Sequence, residues 1–178
     1  MDPTPAPSAA TATPAAEPDF ADIEAAATRL AGHAVVTPLL EYHELNARAG
    51  GRVLIKAETL QRTGSFKFRG AFNKLSRLAG TRSRPGCVVA YSSGNHAQGV
   101  ATAARLNGLP AVIVMPRDSP AIKIERTRAA GAEIVLYDRL SESREAIAER
   151  IAQERDAVLV RPYDDPDIIA GQGTVGLE

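Results

Sequence analysis

The sequence predicts an α/β protein built on a three-layer, open parallel sheet. Three observations carry this. Four short apolar runs, Val88–Tyr91, Ala111–Met115, Glu133–Tyr137 and Ala157–Val160, recur after Cys87. Segments with helical spacing separate them, giving a βαβαβαβ order. Runs buried on both faces and joined by helices belong to parallel sheets with right-handed crossovers, and such sheets bind ligands beyond the carboxyl ends of their strands.

Residues Met1–Pro18 are almost wholly Ala, Pro, Thr and Ser, a composition that cannot bury enough apolar surface to offset the entropy of ordering. They are expected to form a disordered tail. Asp19 opens an amphipathic stretch in which Phe20, Ile23, Ala27 and Leu30 share one helical face. Val53–Lys56 reads as a short strand after Gly50 and Gly51, and Phe68, Ala71, Phe72, Leu75 and Leu78 trace a second helix. Gly108 and Gly131 suit helix ends, and Ser119 with Pro120 suits a cap and first turn.

Composition narrows the partners. The 178 residues carry 21 basic and 21 acidic side chains, so no long-range field steers a polyanion, and nucleic acid or an anionic membrane surface is a poor expectation. A single cysteine, Cys87, excludes an intrachain disulfide and a CxxC metal site, which suits a reducing cytoplasm. No apolar run reaches the length of a membrane span, and no secretory signal opens the chain. A cytoplasmic protein acting on a small molecule is the expectation.

Two loops carry chemistry. In Thr63-Gly64-Ser65-Phe66-Lys67-Phe68-Arg69-Gly70-Ala71 a glycine-bearing turn runs into a helix and puts Lys67 in its first turn. The positive dipole end there disfavours a cation. Partial desolvation between Phe66 and Phe68 would lower the pKa of Lys67 and free its amine for Schiff-base chemistry; an ordinary solvated lysine is the alternative. Arg69, at i+2, points elsewhere and reads as structural or phosphate-facing at best, with a surface salt bridge the simpler expectation. In Ser92-Ser93-Gly94-Asn95-His96 a strand's carboxyl end meets a helix N-terminus, where backbone amides suit a carboxylate; simple helix capping is the alternative.

Other patterns fail on context. Gly171-Gln172-Gly173-Thr174-Val175-Gly176 matches GxGxxG without the preceding strand that a dinucleotide site requires. Neither serine of the second loop lies in GxSxG. His33, His43 and His96 lack metal-ligand spacing, so no metal is expected. Cys87 reads as a small core hydrophobe.

Thr37-Pro38-Leu39, Lys56-Ala57-Glu58-Thr59-Leu60-Gln61, TGSFKFRGA, SSGNHAQGVA and Ala170–Glu178 together resemble the ordered motif set of the serine/threonine dehydratases, which include serine racemase. These are pyridoxal-phosphate enzymes of fold type II, the fold of the tryptophan synthase β chain, and the resemblance covers Ala34–Glu178. Phe68 and His96 separate the chain from threonine synthases and cysteine synthases. The resemblance implies pyridoxal 5′-phosphate held by Lys67, with Phe66 beside its ring and Asn95 on its phenolic oxygen. It implies that Ser92, Ser93, Gly94, Asn95 and His96 take the substrate carboxylate. Lys67 would move the proton at the α-carbon, and Ser93 would stand on the other face. The implied reaction is β-elimination from L-threonine or L-serine to a 2-oxo acid and ammonia. The alternatives are a serine or aspartate racemase, a hydroxyaspartate ammonia-lyase, or a non-catalytic α/β binding module.

By the same resemblance, residues 19–86 begin a large domain, 87–162 form the small domain and 163–178 return to the large one. A homo-oligomer is expected of the complete protein. The family's phosphate-gripping glycine run would lie beyond residue 178, so this chain alone is expected to bind the cofactor weakly.

Overall fold

The computed structural model describes residues 17–178. Residues 1–16 of the expected tail lie outside the described residues, and Glu17 and Pro18 form no regular structure. Helix α1 (Phe20–Leu30) starts at Asp19 through a reciprocal capping box with Asp22, which satisfies two of the amides that a helix start leaves unpaired. Strand β2 (Leu54–Lys56) was legible, but its partner was not. Leu39–Glu41 forms β1 and pairs antiparallel with it, Leu40 opposite Ile55, and a short helix α2 (His43–Ala49) joins the two.

Helix α3 (Lys67–Ala79) leads into the parallel sheet, in which β3 (Cys87–Tyr91), β4 (Ala111–Pro116), β5 (Glu133–Tyr137) and β6 (Ala157–Leu159) lie in the order β5-β4-β3-β6. Helices α4 (Asn95–Leu106), α5 (Ala121–Ala129) and α6 (Arg144–Glu154) connect them, and α7 (Pro166–Gly173) follows β6. Alternation along the strands makes the layers. Val88, Ala90, Ile113 and Met115 face a core shared with Phe68, Leu75, Val100 and Ala104 of α3 and α4. Cys87, Val89, Val112 and Val114 face the other side, against Ala148 and Ile151 of α6. The expected three-layer α/β arrangement with a parallel sheet is what the chain forms.

Turn chemistry ends the helices as read: Gly108 and Gly131 adopt φ of +63° and +96°, conformations a glycine reaches without steric cost. The start of α5 differs by one position, since Pro120 occupies the cap and the buried Ser119 hydroxyl makes no hydrogen bond. The GxGxxG stretch is helix. Gly171 on α7 lets the helix meet α3 at Gly70: a methyl group on Gly171 would sit 2.7 Å from the Arg69 carbonyl and the Gly70 Cα. Gly171 and Gly173 serve packing, the latter against Ile23 of α1.

Arg69 corrects the expectation of a surface ion pair. Its side chain is 1% exposed. The guanidinium donates to both carboxylate oxygens of Glu58 at 2.9 and 2.8 Å and to both of Glu178 at 2.8 and 2.9 Å. It also reaches the Val35 carbonyl and the Thr174 hydroxyl. Lys56 donates to Glu178 at 2.6 Å and Thr37 to Glu58 at 2.7 Å. Burial alone would raise both carboxyls, but the hydrogen bonds from Arg69, with those from Thr37 and Lys56, outweigh it and hold Glu58 and Glu178 below the usual carboxylate range. The sequence could not show this because charge count says nothing of where the partners fold.

Removing one partner of a buried charge cluster leaves the others uncompensated. Arg69→Met is therefore expected to destabilise the protein by about 3–5 kcal/mol, read by chemical denaturation. Arg77→Met, at an exposed pair with Asp167, is expected to cost less than about 1 kcal/mol.

Candidate active site

Lys67 is the first residue of α3, and the turn before it is strained. Thr63 adopts φ +65° and Gly64 φ +73°. The left-handed region is costly for a β-branched residue, which persists there only where the surroundings over-determine it. Thr63 Oγ1 and Ser65 Oγ, both in this turn, are buried without a hydrogen-bond partner. Lys67 Nζ donates to the Pro162 carbonyl just after β6, at 2.8 Å, and lies 5.2 Å from the centre of the Phe66 ring. Burial lowers its pKa from the ordinary lysine value. The two phenylalanines part company: Phe66 is 40% exposed, while Phe68 is fully buried in the core. Only Phe66 borders the amine.

The second loop follows β3. Helix α4 starts at Asn95 with Gly94 at its cap, and no side chain caps it. The Gly94 amide bonds back to Ser92 Oγ at 3.2 Å. The capping alternative therefore fails, and first-turn amides remain available at a positive dipole end. Asn95 is exposed; Ser92, Ser93 and Gly94 are half-buried.

His96 turns inward. Its ring is 3% exposed, Nε2 lies 3.1 Å from the Val160 carbonyl, and Nδ1 has no partner. A carbonyl only accepts, so Nε2 carries the proton and the ring is neutral. Burial, with the nearby Lys67 charge, lowers the His96 pKa to about 4, against the opposing effect of the Val160 carbonyl. Only the backbone amide of His96 stays with the loop. The ring braces the same exit of β6 that accepts from Lys67.

A polar cavity of about 390 Å³ opens where β3, β4 and β5 end; Ser92, Ser93, Arg139 and Arg144 are among its lining residues. The Arg144 guanidinium lies 5.2 Å over the Tyr91 ring. Sequence reasoning missed both arginines, since neither falls in a recognisable motif. Lys67 does not line this cavity. It meets α4 instead at Gly99, where an added methyl would stand 3.2 Å from the Lys67 carbonyl carbon and oxygen.

The remaining candidates stay structural. His33 stacks on Phe72 at 4.3 Å and His43 lies exposed beside Glu44. Cys87 is buried, and burial raises its thiol pKa, so it is a poor nucleophile. Among the described residues no cluster of His, Cys, Asp or Glu could hold a metal, and no helix is long and apolar enough to cross a membrane.

An amine with a lowered pKa, an aromatic face, a free carboxamide and an uncapped helix N-terminus form a donor set that fits an aldehyde-bearing anionic cofactor and an amino-acid carboxylate. The comparisons with known proteins agree with that chemistry. A family model described as "Pyridoxal-phosphate dependent enzyme" matches residues 30–178. The chain is 53% identical over 159 residues to an L-threo-3-hydroxyaspartate ammonia-lyase of a Pseudomonas species, covering 89% of this chain and 50% of that protein. It is 50% identical over 134 residues to an L-threonine ammonia-lyase of Thermotoga maritima, covering 75% and 33%. The structure of serine racemase from Dictyostelium discoideum superimposes with a TM-score of 0.84 at 33% identity, covering 91% and 52%. The chain thus spans about half the length of the first and third of these relatives and a third of the second.

His96 gives the site a pH signature. Its folded pKa lies below the ordinary value of 6.5, so the folded chain binds fewer protons than the unfolded chain between these limits. Stability is therefore full above pH 6.5 and falls as pH drops toward 4, by about 3 kcal/mol from this group. Denaturation of wild type and His96→Gln at pH 7.5 and pH 5 is expected to show a smaller pH dependence in the variant.

Proposed function

The chain belongs to the pyridoxal-phosphate-dependent enzyme family, and from that premise we propose that it forms part of a lyase that removes ammonia from a β-hydroxy-α-amino acid, L-threonine or L-serine in the first instance. The observation that carries the reading is the Lys67 amine, partly buried and poised at a helix start, with α4, whose N-terminus is uncapped, packed against its backbone at Gly99.

Lys67 would hold the cofactor through its amine, Phe66 would lie beside the ring, and the Asn95 carboxamide would donate to the phenolic oxygen. Bound pyridoxal phosphate supplies an electron sink for the pair freed at the substrate's α-carbon. The Ser92–His96 loop takes the α-carboxylate through the amides of Ser93, Asn95 and His96, since those of Ser92 and Gly94 already donate to the Val114 carbonyl and to Ser92 Oγ, and so fixes the orientation of the α-carbon. Lys67 Nζ, which burial keeps more readily deprotonated than a solvated lysine, moves the α-proton. Ser93 caps no helix and keeps its hydroxyl for a proton on the opposite face. The β-hydroxyl leaves as water, one water is taken up again as the carbon–nitrogen bond is hydrolysed, and a 2-oxo acid and ammonia are the end products.

A second reading, 3-hydroxyaspartate as substrate, is favoured by one feature: Arg139 and Arg144 line the cavity that Ser92 and Ser93 border. A guanidinium beside the carboxylate loop suits a second carboxylate, which would exchange for the Glu145 carboxylate now 2.7 Å from Arg144 or the Asp118 carboxylate now 2.8 Å from Arg139. The name of the Pseudomonas relative points the same way.

In the full-length protein Lys67→Ala is expected to lower ammonia release about 10³-fold or more, whereas undiminished release would contradict the reading. On the dicarboxylate reading, Arg144→Met raises KM for 3-hydroxyaspartate by roughly tenfold or more and leaves threonine turnover unchanged. Equal effects on the two substrates would remove the second reading.

A further inference from the structure

The two halves of the site sit on different helices, and one residue sets the gap between them. Lys67 opens α3 and Asn95 opens α4. Gly99 stands one turn after Asn95, on the same side of α4, because residues four apart share a helix face. A glycine inside a helix is locally unfavourable, so its presence calls for a compensating close approach. That approach is to the backbone of Lys67: a Cβ built on Gly99 would lie 3.2 Å from the Lys67 carbonyl carbon and oxygen and 3.3 Å from the Phe68 amide nitrogen. Backbone is not a flexible side-chain end, so a methyl here is relieved only by moving the first turn of α3 or α4. The α3 side has little room to yield, since Gly171 of α7 already holds the Arg69 carbonyl and Gly70 at contact distance. Lys67 Nζ on Pro162 and His96 on Val160 tie both helix starts to the exit of β6.

We infer that Gly99 is a positioning residue, which sets where the Lys67 amine stands relative to the Ser92–His96 loop. The inference rests on the lyase reading only for its consequence in catalysis; the placement of the amine is measurable without cofactor.

The test compares Gly99→Ala and Gly99→Val with Gly173→Ala in the full-length protein. The control is crowded to a similar degree, but against the flexible end of Ile23, 2.9 Å away. In cofactor-free protein, acylation of Lys67 by an amine reagent, mapped by mass spectrometry, is expected to change stepwise from wild type to Ala to Val, with the other lysines unaltered. In the loaded enzyme kcat is expected to fall roughly threefold to tenfold for Ala and roughly 100-fold for Val, as suits displacements of a few tenths of an ångström and more. The Gly173→Ala control is expected to lose stability and leave both readouts at wild-type values. Unchanged Lys67 acylation in both folded Gly99 variants, or an equal change in the control, would overturn the inference. A wild-type enzyme without ammonia release would refute the lyase reading instead, and the acylation comparison would still decide the role of Gly99.

Discussion

Arg69 carries a full charge in a place with almost no water, and much of the chain's first half is arranged to make that tolerable. A buried guanidinium needs its donors filled and its charge met. Glu58 meets it from the 3₁₀ turn Glu58–Leu60, Glu178 from the end of the chain, and the Val35 carbonyl from the segment after α1. Gln61 grips Val35 through both its amide and its carbonyl, and so fixes that acceptor. Such a cluster adds little net stability over a well-packed apolar one, but it tolerates very few arrangements. It fixes the start of α3 two residues after Lys67. Carboxylate charge from Glu58 also offsets the unfavourable placing of two cations, Lys67 and Arg69, in a first turn without acidic residues.

With α3 fixed, the candidate site takes its form from where α4 can approach. Glycines at positions 99 and 171 allow α4 and α7 to touch the backbone of α3 from separate contacts. The loop beyond β3 then offers neutral donors, while the nearest imidazole is held neutral by burial. A lysine partly out of water, with no carboxylate among the described residues bonded to its amine, gains no ionic partner from them to keep it protonated. The electrostatics of the fold and the chemistry proposed for it follow from the same exclusion of water.

Much of this was legible in the sequence because it depends on local pattern. Short apolar runs located β3–β6, period-3.6 apolar repeats located α1, α3 and α4, and glycines marked two helix ends. A lysine in a first turn and a glycine-bearing strand-to-helix loop drew attention to Lys67 and Ser92–His96 on local grounds, while the roles expected of them came from the resemblance to the dehydratases. What escaped depends on distant contacts. β1 is only three residues long and exists through its pairing with β2. Arg69 looked like a surface cation because its partners lie 11 and 109 positions away. Phe68 looked like a neighbour of the amine, but helix geometry turns it to the core. His96 belongs to the loop by sequence and to the interior by its ring. The motif Lys56–Gln61 proved to be framework, since Lys56, Glu58 and Gln61 all serve the Arg69 cluster or its acceptor.

One amine, that of Lys67, is proposed as the chain's point of attachment for the cofactor. Borohydride reduction of the full-length protein with pyridoxal phosphate, followed by peptide mapping, tests it directly. A reduced pyridoxyl group is expected on Lys67 at near-stoichiometric yield, with Lys56, Lys74 and Lys123 unmodified. A pyridoxyl group spread over surface lysines, or found on another lysine while Lys67 stays free, would contradict it.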